Sequence, residues 1–170
     1  MPRTFPTQPN LEHFRKQAKQ LLRDVRDGDD DATQRRRESA GPSRHVVITG
    51  GAGFIGSHLA ERLLAQGHRV TAFDDLSGCH RSNVAHLIDD PHFDLVVADI
   101  CDADAVDTVV AEADVLFHLA ASFGRTAGDE TMDCLHTNVH GTEVVLESAS
   151  RHGVRFLFSS TSAVHGNLEP

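Results

Sequence analysis

The chain has 170 residues, 39% of them hydrophobic and 24% charged, with a formal net charge of -9. That length admits one domain of ordinary size and a modest appendage, not two full domains, and the acidic balance argues against a broad basic surface for nucleic acid. No apolar run approaches the roughly 18–20 residues of a membrane span, and the polar segment Met1 to Asn10 lacks the apolar core of a secretion signal, so the expected location is the cytoplasm.

In chain order, residues 10–26 come first. Leu11, Phe14, Ala18, Leu21, Leu22 and Val25 recur at spacings of three and four, which predicts an amphipathic helix with Asn10 as its N-cap. Residues 27–44 combine an acidic cluster, an arginine triplet, glycines and a proline without apolar period, and read as a linker. From His45 the pattern changes to short β-rich runs, at 45–49, 69–73, 93–98, 114–119 and 154–159. They alternate with helix candidates at 54–66, 81–89, 102–112 and 130–152. Apolar strands each followed by a helix are expected when both faces of a parallel sheet are covered. Residues 45–170 are therefore predicted to form an α/β domain with a doubly wound parallel sheet. The cysteines, Cys79, Cys101 and Cys134, are widely spaced and read as reduced thiols.

The first β-rich run leads into "TGGAGFIG", Thr49 to Gly56. Gly51, Gly53 and Gly56 satisfy G-x-G-x-x-G between a strand and a helix, where backbone amides and the helix dipole receive a pyrophosphate. The same glycines also suit a tight turn between two packed elements. Asp74, 18 residues beyond Gly56 at the end of the second strand, favours the dinucleotide, because a carboxylate there accepts hydrogen bonds from the adenosine ribose. It also repels the extra phosphate of NADP, so the expected cofactor is NAD.

Six motifs stand in order: "TGGAGFIG", "FDDLS" (73–77), "ADI" (98–100), "HLAA" (118–121), "TNVHGT" (137–142) and "SSTSAVHG" (159–166). In this order they resemble the extended short-chain dehydrogenases, and within these the NAD-dependent epimerase/dehydratase family, over residues 45–170. The resemblance implies that Gly50, Gly53, Phe54, Ile55 and Gly56 wrap the pyrophosphate, that Asp74 holds the adenosine ribose, and that Asp99 and Ile100 border the adenine. It further implies that Leu119, Ala120 and Ala121 line the cofactor, that Asn138 stabilises the neighbouring helix, and that Thr161 hydrogen-bonds a hydroxyl of a nucleotide-sugar substrate. His165 stands where the family usually has a non-catalytic tyrosine. Asp99 has an alternative use as the N-cap of the following helix, and Thr161 as an ordinary polar strand end.

In the family, a tyrosine phenolate removes the substrate proton and a lysine four residues later lowers its pKa. A phenol, with pKa near 10, needs such a cation to act as base at neutral pH. This sequence has no tyrosine, and its lysines are Lys16 and Lys19. The chain is thus expected to be the N-terminal, dinucleotide-binding part of such an enzyme, ending before the Tyr/Lys helix and the substrate domain and not competent alone. His165 has a suitable pKa but lies on the Thr161 segment, away from the helix that faces the nicotinamide. His136 and His140 are spaced like zinc ligands, yet no glutamate follows His136 and no third ligand is evident, so no metal is expected. With the expected strand order of a Rossmann fold, 3-2-1-4-5, a sheet ending at the fifth strand leaves an open edge, and self-association through it is expected. Two other functions stay open: a non-enzymatic NAD-binding module, and an interaction protein built around the N-terminal helix. Residues 9–32 resemble the leader helix of some bacterial ankyrin-repeat-type proteins, although no ankyrin repeat follows.

Overall fold

The computed structural model describes residues 43–122 and 130–160, all within one unit, Ala40–Pro170. The predicted helix at 10–26, nearly all of the linker, Thr161 and His165 lie outside the described residues. The elements are β1 (His45–Thr49), α1 (Phe54–Ala65), β2 (Arg69–Phe73), a 3-10 segment (Arg81–Leu87), β3 (Phe93–Val96), α2 (Ala103–Val110) and β4 (Val115–His118). There follow α3 (Glu130–Leu135), a π-helical turn (His136–Gly141), α4 (Thr142–His152) and β5 (Arg155–Phe158). All pairings are parallel and the strand order is 3-2-1-4-5, as expected of a Rossmann sheet.

Alternation along β1 explains the two layers. Val46 and Ile48 point into one core with Ala60, Leu63 and Leu64 of α1, Val70 and Ala72 of β2, and Val84 and Leu87 of the 3-10 segment. Val47 points the opposite way, joining Phe73, Leu116, Val106 and Val110 of α2, and Val145 and Ala149 of α4. Each fully buried aliphatic side chain contributes about 1.5–3 kcal/mol, so both faces of the sheet must be covered. On the second face Asp107 of α2 ties α4 down, its Oδ1 accepting from Ser148 Oγ at 2.9 Å, from His152 Nε2 at 2.9 Å and from the Arg151 guanidinium at 2.6 Å.

Two predicted helices take a different form. The 81–89 candidate is a 3-10 segment of seven residues, its start at His80 lacking a side-chain cap, and the Asn83 side chain is engaged with the glycine turn. The 130–152 candidate is interrupted by the π turn. There the Thr142 hydroxyl donates back to the Asn138 carbonyl at 2.8 Å.

Candidate dinucleotide site

The register aligns the C-terminal strand ends in one row: Val96, Phe73, Thr49, His118 and Phe158 are successive partners across the sheet. Asp74, Gly50 and Leu119 are the next residues on β2, β1 and β4, so the predicted site residues leave the sheet side by side. The split between β1 and β4, where the chain order reverses, is where an open α/β sheet offers a crevice.

The glycines have distinct tasks. Gly50 has φ +69, and a Cβ there would lie 2.8 Å from the Ala120 nitrogen, so the turn needs both its backbone freedom and its missing side chain. Gly51 packs on β2, where a Cβ would stand 2.6 Å from that of Ala72. Gly56 lies against the Gly50 carbonyl, which brings α1 onto the turn. Gly53 differs: a Cβ there meets only the Gly50 carbonyl oxygen, at 3.2 Å, and its φ of -69 suits any residue. Its other side is open. Gly53 is also the N-cap of α1, with no side-chain cap and no acidic residue in the first turn. The amides of this first turn have no intrahelical acceptor and carry the positive end of the helix dipole. Phe54 and Ile55 flank them, 79% and 67% exposed.

Asp74 is buried and holds this turn from β2. Its Oδ2 accepts from the Ala52 amide at 3.0 Å, and its Oδ1 from the Leu76 amide at 2.9 Å and the Cys79 thiol at 3.4 Å. Leu76 sits at φ +63, a costly backbone region for a leucine, and the Asp74 bond holds it there. Asn83 Nδ2 donates to the Ala52 carbonyl at 2.9 Å, so both polar groups of Ala52 are fixed by side chains. Neither Asn83 nor Cys79 belongs to the predicted site, and no periodicity or spacing marks them. Burial and the neighbouring Asp74 carboxylate push the Cys79 thiol up to about 11, while burial and a hydrogen bond to Asp99 do the same to Cys101. Both shifts favour the protonated thiol at neutral pH.

Asp99 is exposed after β3 and accepts from the Cys101 amide at 2.8 Å. The α2 cap is Asp102, which accepts from the amides of Asp104 and Ala105, so the alternative reading of Asp99 as the N-cap is set aside. Ile100 is buried under Gly141, where a Cβ would come within 2.6 Å of its Cδ1. Beyond β4, Leu119 donates to the Thr49 carbonyl at 3.1 Å and Ala120 to Thr49 Oγ1 at 3.3 Å, while Ala121 is exposed. Asn138 grips Ser122 twice, Oδ1 accepting its amide and Nδ2 donating to its carbonyl, each at 2.8 Å. The rings of His136 and His140 are 5.0 Å apart, and among the described residues no three metal-ligating side chains converge.

His118, buried at the end of β4, was not among the predicted site residues. Its imidazole bridges Thr49 Oγ1 at 2.7 Å and Thr142 Oγ1 at 3.0 Å, and burial pushes its pKa from 6.5 to about 4. The unfolded chain takes up this proton below pH 6.5 whereas the folded chain resists until about pH 4. The resulting stability is therefore complete above pH 6.5 and lost as pH falls toward 4, about 3 kcal/mol in all. Urea midpoints measured from pH 7 to 4 are expected to fall more steeply for the wild type than for His118→Gln; equal slopes would contradict a neutral buried imidazole.

Among the described residues no helix is long and apolar enough to cross a membrane. A family model for the NAD dependent epimerase/dehydratase family matches residues 46–170. UDP-glucuronic acid decarboxylase 4 of Arabidopsis thaliana is 38% identical over 123 residues, covering 72% of this chain and 27% of that protein. dTDP-glucose 4,6-dehydratase of Mycobacterium tuberculosis is 40% identical over 127 residues, covering 73% of this chain and 38% of the other. The Bordetella bronchiseptica enzyme WbmG, solved in complex with NAD, superposes with a TM-score of 0.67 at 27% identity, covering 75% of this chain and 41% of that one. This chain thus spans less than half the length of each of these proteins. Together with the Rossmann sheet and the ordered glycine turn, these matches show that the chain belongs to the NAD-dependent epimerase/dehydratase family.

Proposed function

We propose that this chain binds NAD at the head of α1 and represents the dinucleotide-binding part of a nucleotide-sugar epimerase or dehydratase, without turnover of its own. The observation that carries the reading is the open side of Gly53 at an uncapped helix end, where a side chain would stand in the way of a diphosphate approaching the amides. In this reading Gly50, Gly53 and Gly56 shape the turn, and the first-turn amides of Phe54 and Ile55 receive the pyrophosphate. Asp74 offers the ribose the lone pair that Ala52, Leu76 and Cys79 leave free, since a carboxylate has about four acceptor sites. The carboxylates of Asp74 and Asp75 at the same strand end disfavour the additional phosphate of NADP. Asp99 and Ile100 border the adenine, Leu119, Ala120 and Ala121 line the crevice toward β4, and Thr161 receives the substrate hydroxyl. NAD, when bound, supplies a hydride acceptor.

The residue content supports the absence of turnover in this reading. A buried, aligned base must take the hydroxyl proton as the hydride leaves, and these 170 residues contain no tyrosine and no lysine beyond Lys19. The same chemistry favours a binding module over an independent enzyme. Calorimetry with NAD and a product assay with UDP-glucose test both halves. Binding heat without epimerised or dehydrated product is expected, whereas turnover, or no heat at millimolar NAD, would refute the respective half.

A further inference from the structure

The contacts of His118 form one directed chain. The Thr142 hydroxyl has a single proton, and the Asn138 carbonyl takes it at 2.8 Å. The Thr142 oxygen must then accept, at 3.0 Å, from His118 Nε2–H. A neutral imidazole with its proton on Nε2 has a bare Nδ1, which accepts from the Thr49 hydroxyl at 2.7 Å. The Thr49 oxygen is left to accept from the Ala120 amide at 3.3 Å. Reversing the direction leaves the Thr49 proton without an acceptor and strips the Asn138 carbonyl of its hydroxyl donor, so the Nε2–H tautomer is the one that satisfies the whole chain.

Both ends of this chain reach the same short segment. At one end Ala120 is bonded to Thr49; at the other, the π turn aims the Asn138 carboxamide so that it holds both backbone groups of Ser122. Between them lies Ala121, on the wall of the crevice. The imidazole is fixed laterally as well, with Phe156 and Phe158 of β5 at ring-centroid distances of 5.9 Å and 5.8 Å.

We infer that His118 is a positioning residue: through Thr49 on one side and Thr142 and the π turn on the other, it sets the course of residues 120–122 and so the β4 wall of the crevice. Its consequence for ligand binding rests on the NAD reading above; the relay itself does not.

The two halves separate by side-chain length. At position 118, glutamine places an amide near the Nε2 position and keeps the donor to Thr142, whereas asparagine stops near Nδ1 and reaches Thr49 alone. Thr142→Ser keeps the hydroxyl and Thr142→Val removes it. Amide hydrogen exchange on the full chain without ligand reads the Ser122 clamp directly. Ser122 exchange is expected to quicken at least about tenfold in His118→Asn and Thr142→Val, with the Val47 and Leu116 amides in the sheet unchanged. His118→Gln and Thr142→Ser are expected to stay within about threefold of wild type. Unchanged Ser122 protection in His118→Asn and Thr142→Val overturns the inference. So does a loss that Val47 and Leu116 share in Thr142→Val, which changes shape little and leaves the imidazole in place. In a second arm, NAD affinity is expected to drop about tenfold in His118→Asn and recover in His118→Gln. A wild-type chain that binds no NAD removes the proposed function and leaves the exchange result standing.

Discussion

Gly53→Ala is expected to melt within about 5 °C of the wild type and to bind NAD at least about tenfold more weakly. The first half follows from the backbone: φ -69 and ψ 174 suit alanine, and the new Cβ meets a single carbonyl oxygen at 3.2 Å. Losing unfolded-state entropy stabilises by about 0.4–1 kcal/mol, which roughly offsets that contact and the poorer N-cap. The second half follows from the space itself, because the methyl stands where a diphosphate approaches the helix amides. Gly56→Ala supplies the contrast. Its Cβ would lie 2.7 Å from the Gly51 Cα and against the Gly50 carbonyl, both backbone, so the turn must open. About 1–3 kcal/mol of stability is expected to go with it, along with binding. Thermal melts and NAD titrations of the two variants check the pair, and equal NAD affinity in Gly53→Ala and wild type would falsify the assignment.

Asp74→Ala is expected to cost about 2–4 kcal/mol, since two amides, those of Ala52 and Leu76, lose their acceptor together and each unpaired buried donor costs about 1–3 kcal/mol. Leu76 also loses the bond that holds its left-handed backbone. Asp74→Asn keeps one acceptor oxygen and turns a donor toward the other amide, so it is expected to lose about half as much stability. Both variants are expected to lose at least about tenfold in NAD affinity, because alanine offers the ribose no oxygen, the one oxygen of asparagine is committed to the turn, and the charge that favours the ribose is gone. Urea denaturation and calorimetry separate the effects. Full NAD affinity in Asp74→Asn would make Asp74 a turn anchor and nothing more.

Much of this architecture was legible in the chain, and the exceptions have physical causes. Strands rich in Val, Ile, Leu and Phe, separated by helical periods, were enough for a doubly wound parallel sheet, while the order 3-2-1-4-5 needed the glycine fingerprint and the family resemblance as well. "TGGAGFIG" located the turn, but which glycine does what depends on neighbours distant in sequence. Gly51 answers to Ala72, and Gly50 to Ala120. Asp74 was placed by its spacing at a strand end, whereas its hold on Leu76 at positive φ is something no sequence pattern announces. In "ADICDAD" both Asp99 and Asp102 can cap a helix; the choice falls to the residue just before the first helical turn, Asp102. The π turn was invisible because the apolar spacing of 130–152 suits one helix and carries no mark of a widened turn. His118 hid inside an apolar run, where alternation predicts burial without saying which polar partners a buried imidazole finds.

The most direct test of the central claim is the amide spectrum of the ¹⁵N-labelled chain titrated with NAD. Large shifts are predicted at Gly53, Phe54 and Ile55, with smaller ones at Ala52 and Leu76, whose amides Asp74 holds. Saturable binding that moves other amides and leaves those three in place would contradict the account, as would an unchanged spectrum at millimolar NAD.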